Sequence, residues 1–193
     1  MTSDIDSEEG PLELTKASIV EGERIIDKPE LPKRGLVMHM QAEVTTIEGS
    51  LQIKEGTSKG FKVFSDEPPQ IGGTGKYPAP MSYMALGIGM CLLTQMVRYA
   101  HMMKIEIRSA QCFVDLHYSV AGSVLAGTVH TNWHEVKTRL QIDSDEAPDR
   151  IAALVRNAKG GCTAENLAAQ AVPIHSEIIL NGESLPFDGS GYA

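Results

Sequence analysis

Positive charge is what this chain has least of. Seventeen Lys and Arg face 25 Asp and Glu, leaving a formal charge of −8 over 193 residues. Nucleic acid demands a basic stripe and an anionic membrane surface attracts basic segments, so the balance argues against both partners. Cysteine is scarce as well. There are three, an odd number that argues against a disulfide framework. The expected compartment is a reducing cytosol, where any disulfide is transient and functional. The first ten residues are acidic, with no apolar stretch behind them, which predicts no secretory signal. There is no internal repeat.

Long apolar runs are also lacking, with one exception. Met81 to Val97 is uncharged and covers roughly 17 residues, the lower limit for a membrane span. It contains Ser82, Gly87, Gly89, Thr94 and Gln95. A helix apolar on all sides also arises in a large core or a dimer interface. The expectation is a buried helix and no membrane partner.

The hydrophobic content of 42% supports one domain with additions. Residues 1–35 form an N-terminal extension, acidic and broken by Pro11, Pro29 and Pro32. Within it, 17–21 and 24–26 are candidates for a docking strand or arm. The domain proper is 36–193. Strands are expected over 36–48, 51–54 and 61–64, joined by turns at Gly49 and at 56–59, as a three-stranded meander. A Gly- and Pro-rich loop follows over 66–80. A long helix starts at Pro80 or Ser82 and runs to about Lys104. Strand character returns at 105–107, 111–118, 125–133 and 136–142, with a break near His134. A second helix from Pro148 places Ile151, Leu154, Val155 and Ala158 on one face and stops at Gly160 and Gly161. A short helix follows over 162–171, and a last strand over 174–180. Strands and helices segregate in this order, which predicts α+β rather than a doubly wound parallel sheet.

Two cysteines carry the chemistry. Cys162 follows two glycines and opens a helix, where free N–H groups and partial positive charge favour a thiolate. A small capping residue after a glycine break fits the same position. Cys91 lies some ten residues into its helix, beyond the reach of the terminal dipole, and apolar neighbours should raise its pKa. By itself it reads as an inert core cysteine, reactive only if the fold or a partner subunit delivers a cation. Cys112, between strand residues, reads as core filler. The run from Gly72 to Lys76 hints at a phosphate loop, but Gln70 stands where the leading Gly is needed and Tyr77 replaces the Ser or Thr. His130 and His134, with Glu135, are not in metalloprotease order and read as a polar strand face. No Gly-x-Ser-x-Gly elbow occurs.

Phe64-Ser-Asp-Glu-Pro68, then Gly72-Gly73, Pro78-Ala-Pro80 and Ala85-Leu-Gly-Ile-Gly-Met-Cys91 together resemble the OsmC/Ohr family of osmotically inducible and organic-hydroperoxide-resistance proteins. Cys162 with Asn166 four residues on fits the family's second cysteine segment, and the likeness runs from about Leu36 to Leu180. The resemblance implies antiparallel sheets around two long central helices in an intertwined homodimer. It implies that Cys91 attacks a small organic hydroperoxide and Cys162 resolves the sulfenic acid. A dithiol, such as a lipoylated protein, then restores the pair, and no cofactor or metal is involved. Apolar Met84, Leu86, Ile88, Leu92 and Met96 favour a lipid-like or aromatic alkyl hydroperoxide.

The chain departs from that pattern at three places. Met81 stands where active members place a Glu, the hairpin from Thr45 to Lys54 has no Arg, and Thr163 replaces the Pro after the second cysteine. Arg34, Lys54, Lys59 and Lys76 are the available substitute cations. The departures support an alternative, a non-catalytic dimer of the same fold that binds a small apolar ligand or a partner protein. A carrier of acyl or thiol groups is a third reading.

Overall fold

A computed structural model describes residues 30–35 and 37–185. The chain divides into two units, Met1–Gly35 and Leu36–Ala193, and the elements and the core belong to the second. The arm segments expected at 17–21 and 24–26 lie outside the described residues.

The architecture is α+β. Strands β1 (Glu43–Ile47), β2 (Ser50–Ser58) and β3 (Phe61–Ser65) form an antiparallel meander in that order. Gly49 and Gly60 turn the chain between them with φ of 79° and 82°, a left-handed conformation that glycine adopts without steric cost. The strand expected from Leu36 forms only from Glu43 onward. β4 (Ser109–Ala121) and β5 (His130–Asp143) make a long antiparallel ribbon, and β6 (Ile178–Leu180) with β7 (Glu183–Leu185) a short hairpin. Residues 105–107 and 125–129 are not strand, because the ladder between β4 and β5 begins at Ser109 and closes at His130. The break expected near His134 is a bulge. His117 pairs with Glu135 and Tyr118 with Trp133, so His134 is the extra residue.

Three helices follow the turn signals: α1 (Pro80–Met103), α2 (Pro148–Gly161) and α3 (Thr163–Ala169). Pro80 and Pro148 each occupy the first turn, where a missing N–H costs nothing. α1 ends on Lys104 in the left-handed conformation, and Arg150 donates to the freed carbonyls of Met103 and Lys104. The two long helices implied by the resemblance need correction. Among the described residues only α1, with 24 residues, is long; α2 has 14. The chain goes extended at Cys162 (φ −76°, ψ 100°), which ends α2 and starts α3 as a separate element.

The core lies where α1 meets β4, α2 and α3. Ile88, Leu92, Met96 and Ala100 recur every fourth residue on one stripe of α1 and are buried with Ile105, Leu154, Ala158 and Cys162. On β4 and β5 burial alternates, and the inward pairs are Ala110 with Ile142, Cys112 with Leu140, Val114 with Thr138, and Leu116 with Val136. Gly89 faces this ribbon. A Cβ there would meet Val114 Cγ2 at 3.4 Å and Cys112 Sγ at 3.9 Å, so glycine lets α1 lie close on β4.

The helix expected to be buried on all sides is buried on one. By length and composition α1 could cross a membrane, yet its stripe packs on the fold's own elements. Met84, Leu86, Met90 and Val97 are left exposed.

Candidate functional site

α1 brings Cys91 against the junction of α2 and α3, where Cys162 is both the last cap of one helix and the first of the next. The two cysteines approach to 3.6 Å. Their surroundings differ. Cys162 is fully buried, receives the Glu165 N–H on its sulfur at 3.4 Å, and lies 4.0 Å from the Ile88 carbonyl. Cys91 is only partly buried. Its sulfur lies 3.5 Å from Thr163 Oγ1.

Gly161 and Asn166 shape the junction. A Cβ on Gly161 would fall 2.2 Å from the Tyr99 hydroxyl, so glycine admits α1 to the end of α2. Asn166 Nδ2 donates to the carbonyls of Lys159 (3.0 Å) and Cys162 (2.8 Å), each of which also accepts a backbone N–H, so the side chain ties the end of α2 to the start of α3.

The acidity of the two thiols is the reverse of the sequence expectation. Burial lifts Cys162 above the ordinary thiol range; the Glu165 N–H opposes that, while Cys91 and the Glu165 carboxylate add to it. For Cys91, burial again raises the pKa and is the largest influence. Hydrogen bonds from the Thr163 hydroxyl, the Ala164 N–H, Cys162 and the Thr163 N–H outweigh it together, and the net shift is downward. The expectation failed because it assigned the amides of α3 to the residue that caps the helix. Two of them act on the neighbour across the junction.

Cys112, read as core filler, packs against this core, and burial raises its pKa. A feature the sequence did not disclose is the Lys159–Glu165 ion pair, joined by Thr138, which donates to Glu165 at 3.2 Å and accepts from Lys159 at 3.2 Å. Six residues separate the partners, and only the bend at Cys162 brings them together.

Two of the expected substitute cations have partners of their own. Lys54 donates to Gln52 and Lys76 lies over the Tyr77 ring. No Lys or Arg is among the groups that act most strongly on Cys91. Lys59 sits in the β2–β3 turn with φ of 48°. Arg34 belongs to the other unit of the chain. Met81 is partly buried in the first turn of α1.

The Gly-rich loop holds a carboxylate of its own. Asp66, inaccessible to solvent, accepts from the N–H groups of Glu67, Thr74 and Lys76 and from the Thr74 hydroxyl. Gly73 is required there, since a Cβ would lie 1.7 Å from the Glu67 carbonyl oxygen. The Thr74 hydroxyl is the main influence that lowers Asp66 from 3.8 to about 2; burial opposes it, and the three N–H groups assist it. A depressed folded-state pKa stabilises the loop above pH 3.8, and that stabilisation drains away as pH falls through about 2. Limited pepsin digestion between pH 4 and pH 2 is expected to open the loop progressively in the native protein. In an Asp66→Asn variant, cleavage there should be rapid already at pH 4. His130 and His134 are used separately, one on the Thr128 carbonyl and one on the Ser119 hydroxyl.

Comparison with known proteins agrees with the fold. An OsmC-like hydroperoxide resistance protein from Jannaschia sp. is 17% identical, with a TM-score of 0.52 over 69% of this chain and 87% of that one. An OsmC-like protein from Mycoplasma pneumoniae is 18% identical, with a TM-score of 0.58 over 69% and 89%. An organic hydroperoxide resistance protein OsmC from Legionella pneumophila is 16% identical, with a TM-score of 0.52 over 68% and 90%. No curated protein matches the chain. The family model described as OsmC-like protein matches residues 73–177, from the Gly-rich loop past the second cysteine segment. With more than half its length matched and the fold shared, the chain belongs to the OsmC-like family.

Proposed function

We propose that the protein is a thiol-dependent peroxidase that reduces organic hydroperoxides through Cys91 and Cys162. The observation that carries this reading is the pair itself. An accessible thiol of lowered pKa lies 3.6 Å from a buried thiol of raised pKa. The thiolate is the nucleophile, so the asymmetry supports attack by Cys91 and resolution by Cys162.

In the first step the Cys91 thiolate forms a bond to the terminal peroxide oxygen as the O–O bond breaks. Sulfur is oxidised by two electrons to the sulfenic acid, and the alkoxide leaves and takes a proton to become the alcohol. In the second step the Cys162 sulfur displaces hydroxide from the sulfenic acid, the Cys162 proton completes a water molecule, and a disulfide forms. A dithiol, for which a lipoylated protein is the proposed source, reduces the disulfide by two exchanges and is itself oxidised. In a reducing cytosol this disulfide is transient.

A homodimer is part of the proposal. Met84, Leu86, Met90 and Val97 on α1, and Val44, Phe61 and Val63 on the meander, are exposed apolar side chains that a second copy would cover. One observation favours the non-catalytic alternative. A groove of about 480 Å³ beside α1, lined in part by Leu93, Val97, Ile105 and Ile107, offers an apolar ligand or partner a place to bind.

The two readings part in one experiment. The reduced protein is mixed with one equivalent of cumene hydroperoxide and its thiols are mapped by mass spectrometry. A Cys91–Cys162 disulfide formed within seconds, with Cys112 left free, is the expected result. Three unreacted thiols would sink the peroxidase and leave the binding dimer.

A further inference from the structure

In this chain no cation is among the groups that act most strongly on Cys91, and the hairpin has no arginine to supply one. Cys91 is nonetheless the more acidic thiol of the pair. The extended backbone at Cys162 brings two successive side chains close to Cys91. The Cys162 side chain enters the core, and that of Thr163, an exposed residue, returns toward α1 until its hydroxyl is 3.5 Å from Cys91 Sγ. A neutral thiol accepts hydrogen bonds weakly, whereas a thiolate accepts them as a charged group, at roughly twice the strength of a neutral one. A hydroxyl in this position therefore favours the charged form. The backbone N–H of Thr163 also acts on Cys91, and a proline at that position has no N–H to give.

We propose that Thr163 is a catalytic residue of this chain, its hydroxyl donating a hydrogen bond to the Cys91 sulfur and holding the attacking thiolate. The assignment rests on Cys91 being the attacking thiol. The titratable group that faces Cys91 across the junction is Cys162. The Glu165 carboxylate of α3 acts on Cys162 and is paired with Lys159 of α2, so the charges nearest the pair are already engaged with each other.

The test is the pH dependence of Cys91 alkylation by iodoacetamide in the full-length reduced protein. Mass spectrometry reads it site by site, with Cys162 and Cys112 in the same spectra. Thr163→Val keeps the shape and removes the hydroxyl; Thr163→Ser keeps the hydroxyl. Thr163→Val is expected to move the Cys91 profile to higher pH and to slow alkylation at pH 7 by roughly three- to tenfold, since tenfold in thiolate ratio corresponds to one pKa unit. Thr163→Ser should follow the wild type. Thr163→Val and wild-type profiles that superimpose would overturn the assignment, as would a Thr163→Ser profile shifted as far as that of Thr163→Val, which would trace the effect to side-chain shape. The assay needs no peroxide, so the two readings fail separately. An unshifted Thr163→Val profile with undiminished cumene hydroperoxide turnover rejects Thr163 and keeps the peroxidase. A shifted profile in a protein without turnover keeps the hydrogen bond and rejects the catalytic role.

Discussion

Replacing Cys91 with serine is expected to abolish hydroperoxide reduction, by ~10³-fold or more, the scale on which loss of a nucleophile acts. A serine hydroxyl at neutral pH lacks both the ionisation and the polarisable sulfur of a thiolate. The same hydrogen bonds from Thr163 and Ala164 cannot bring it into the range that is charged at pH 7. The pair predicts a different outcome for Cys162→Ser. Cys91 remains accessible and should react once, stopping at a sulfenic acid that dimedone labels, with no disulfide and no further turnover. Stopped-flow consumption of cumene hydroperoxide over one equivalent separates the two variants. Full activity in Cys91→Ser would transfer the chemistry to Cys162 and contradict the order of acidities that the structure gives. Burst-free inactivity in Cys162→Ser would mean that the second thiol serves the first step as well.

The fold was largely legible because its signals are local. Pro80 and Pro148 begin helices, Gly49 turns the meander, and Leu154 and Ala158 share a face at helical spacing, while the turn expected at 56–59 falls at Lys59 and Gly60 because β2 runs on to Ser58. The bulge at His134 left a trace as an expected break between two strands. The candidate site was legible only in its members. Both cysteines were picked out, but their acidities were inverted, because the direction of an amide in space is set by the backbone at Cys162 and by where α1 lies. Neither is local to the sequence around either cysteine. The ion pair between Lys159 and Glu165 was missed for the same reason. In one continuous helix, six residues apart would place them on different faces. The buried carboxylate of Asp66 was also out of reach, since its donors come from up to ten residues away around a closed loop.

Leu154→Ala joins these two levels and should have the largest effect on stability. Leu154 is inaccessible to solvent and packs in the cluster with Leu92, Met96 and Cys162. Truncating a buried leucine costs about 2–5 kcal/mol, through lost transfer free energy and the cavity left behind. For a domain of this size that lowers the melting temperature by on the order of 10 °C. The core is small and each of its members supports several others, so the position has little capacity to relax. The consequence for chemistry follows from the same geometry. Leu154 is the residue by which the middle of α2 grips the core, and α2 carries Cys162 at its end. Loosening that grip widens the spread of Cys91–Cys162 separations without touching either thiol. Thermal unfolding followed by circular dichroism checks the first effect. The rate of disulfide formation after cumene hydroperoxide addition, at a temperature where the variant is still folded, checks the second. A slower disulfide with an unchanged rate of Cys91 oxidation is the expected pattern, because in the proposed mechanism the attack depends on contacts from Thr163 and the resolution on where α2 ends. If both rates stay at wild-type values while stability falls, the junction at Cys162 is held by Asn166 and Gly161 alone, and the core beneath α2 contributes stability but not position.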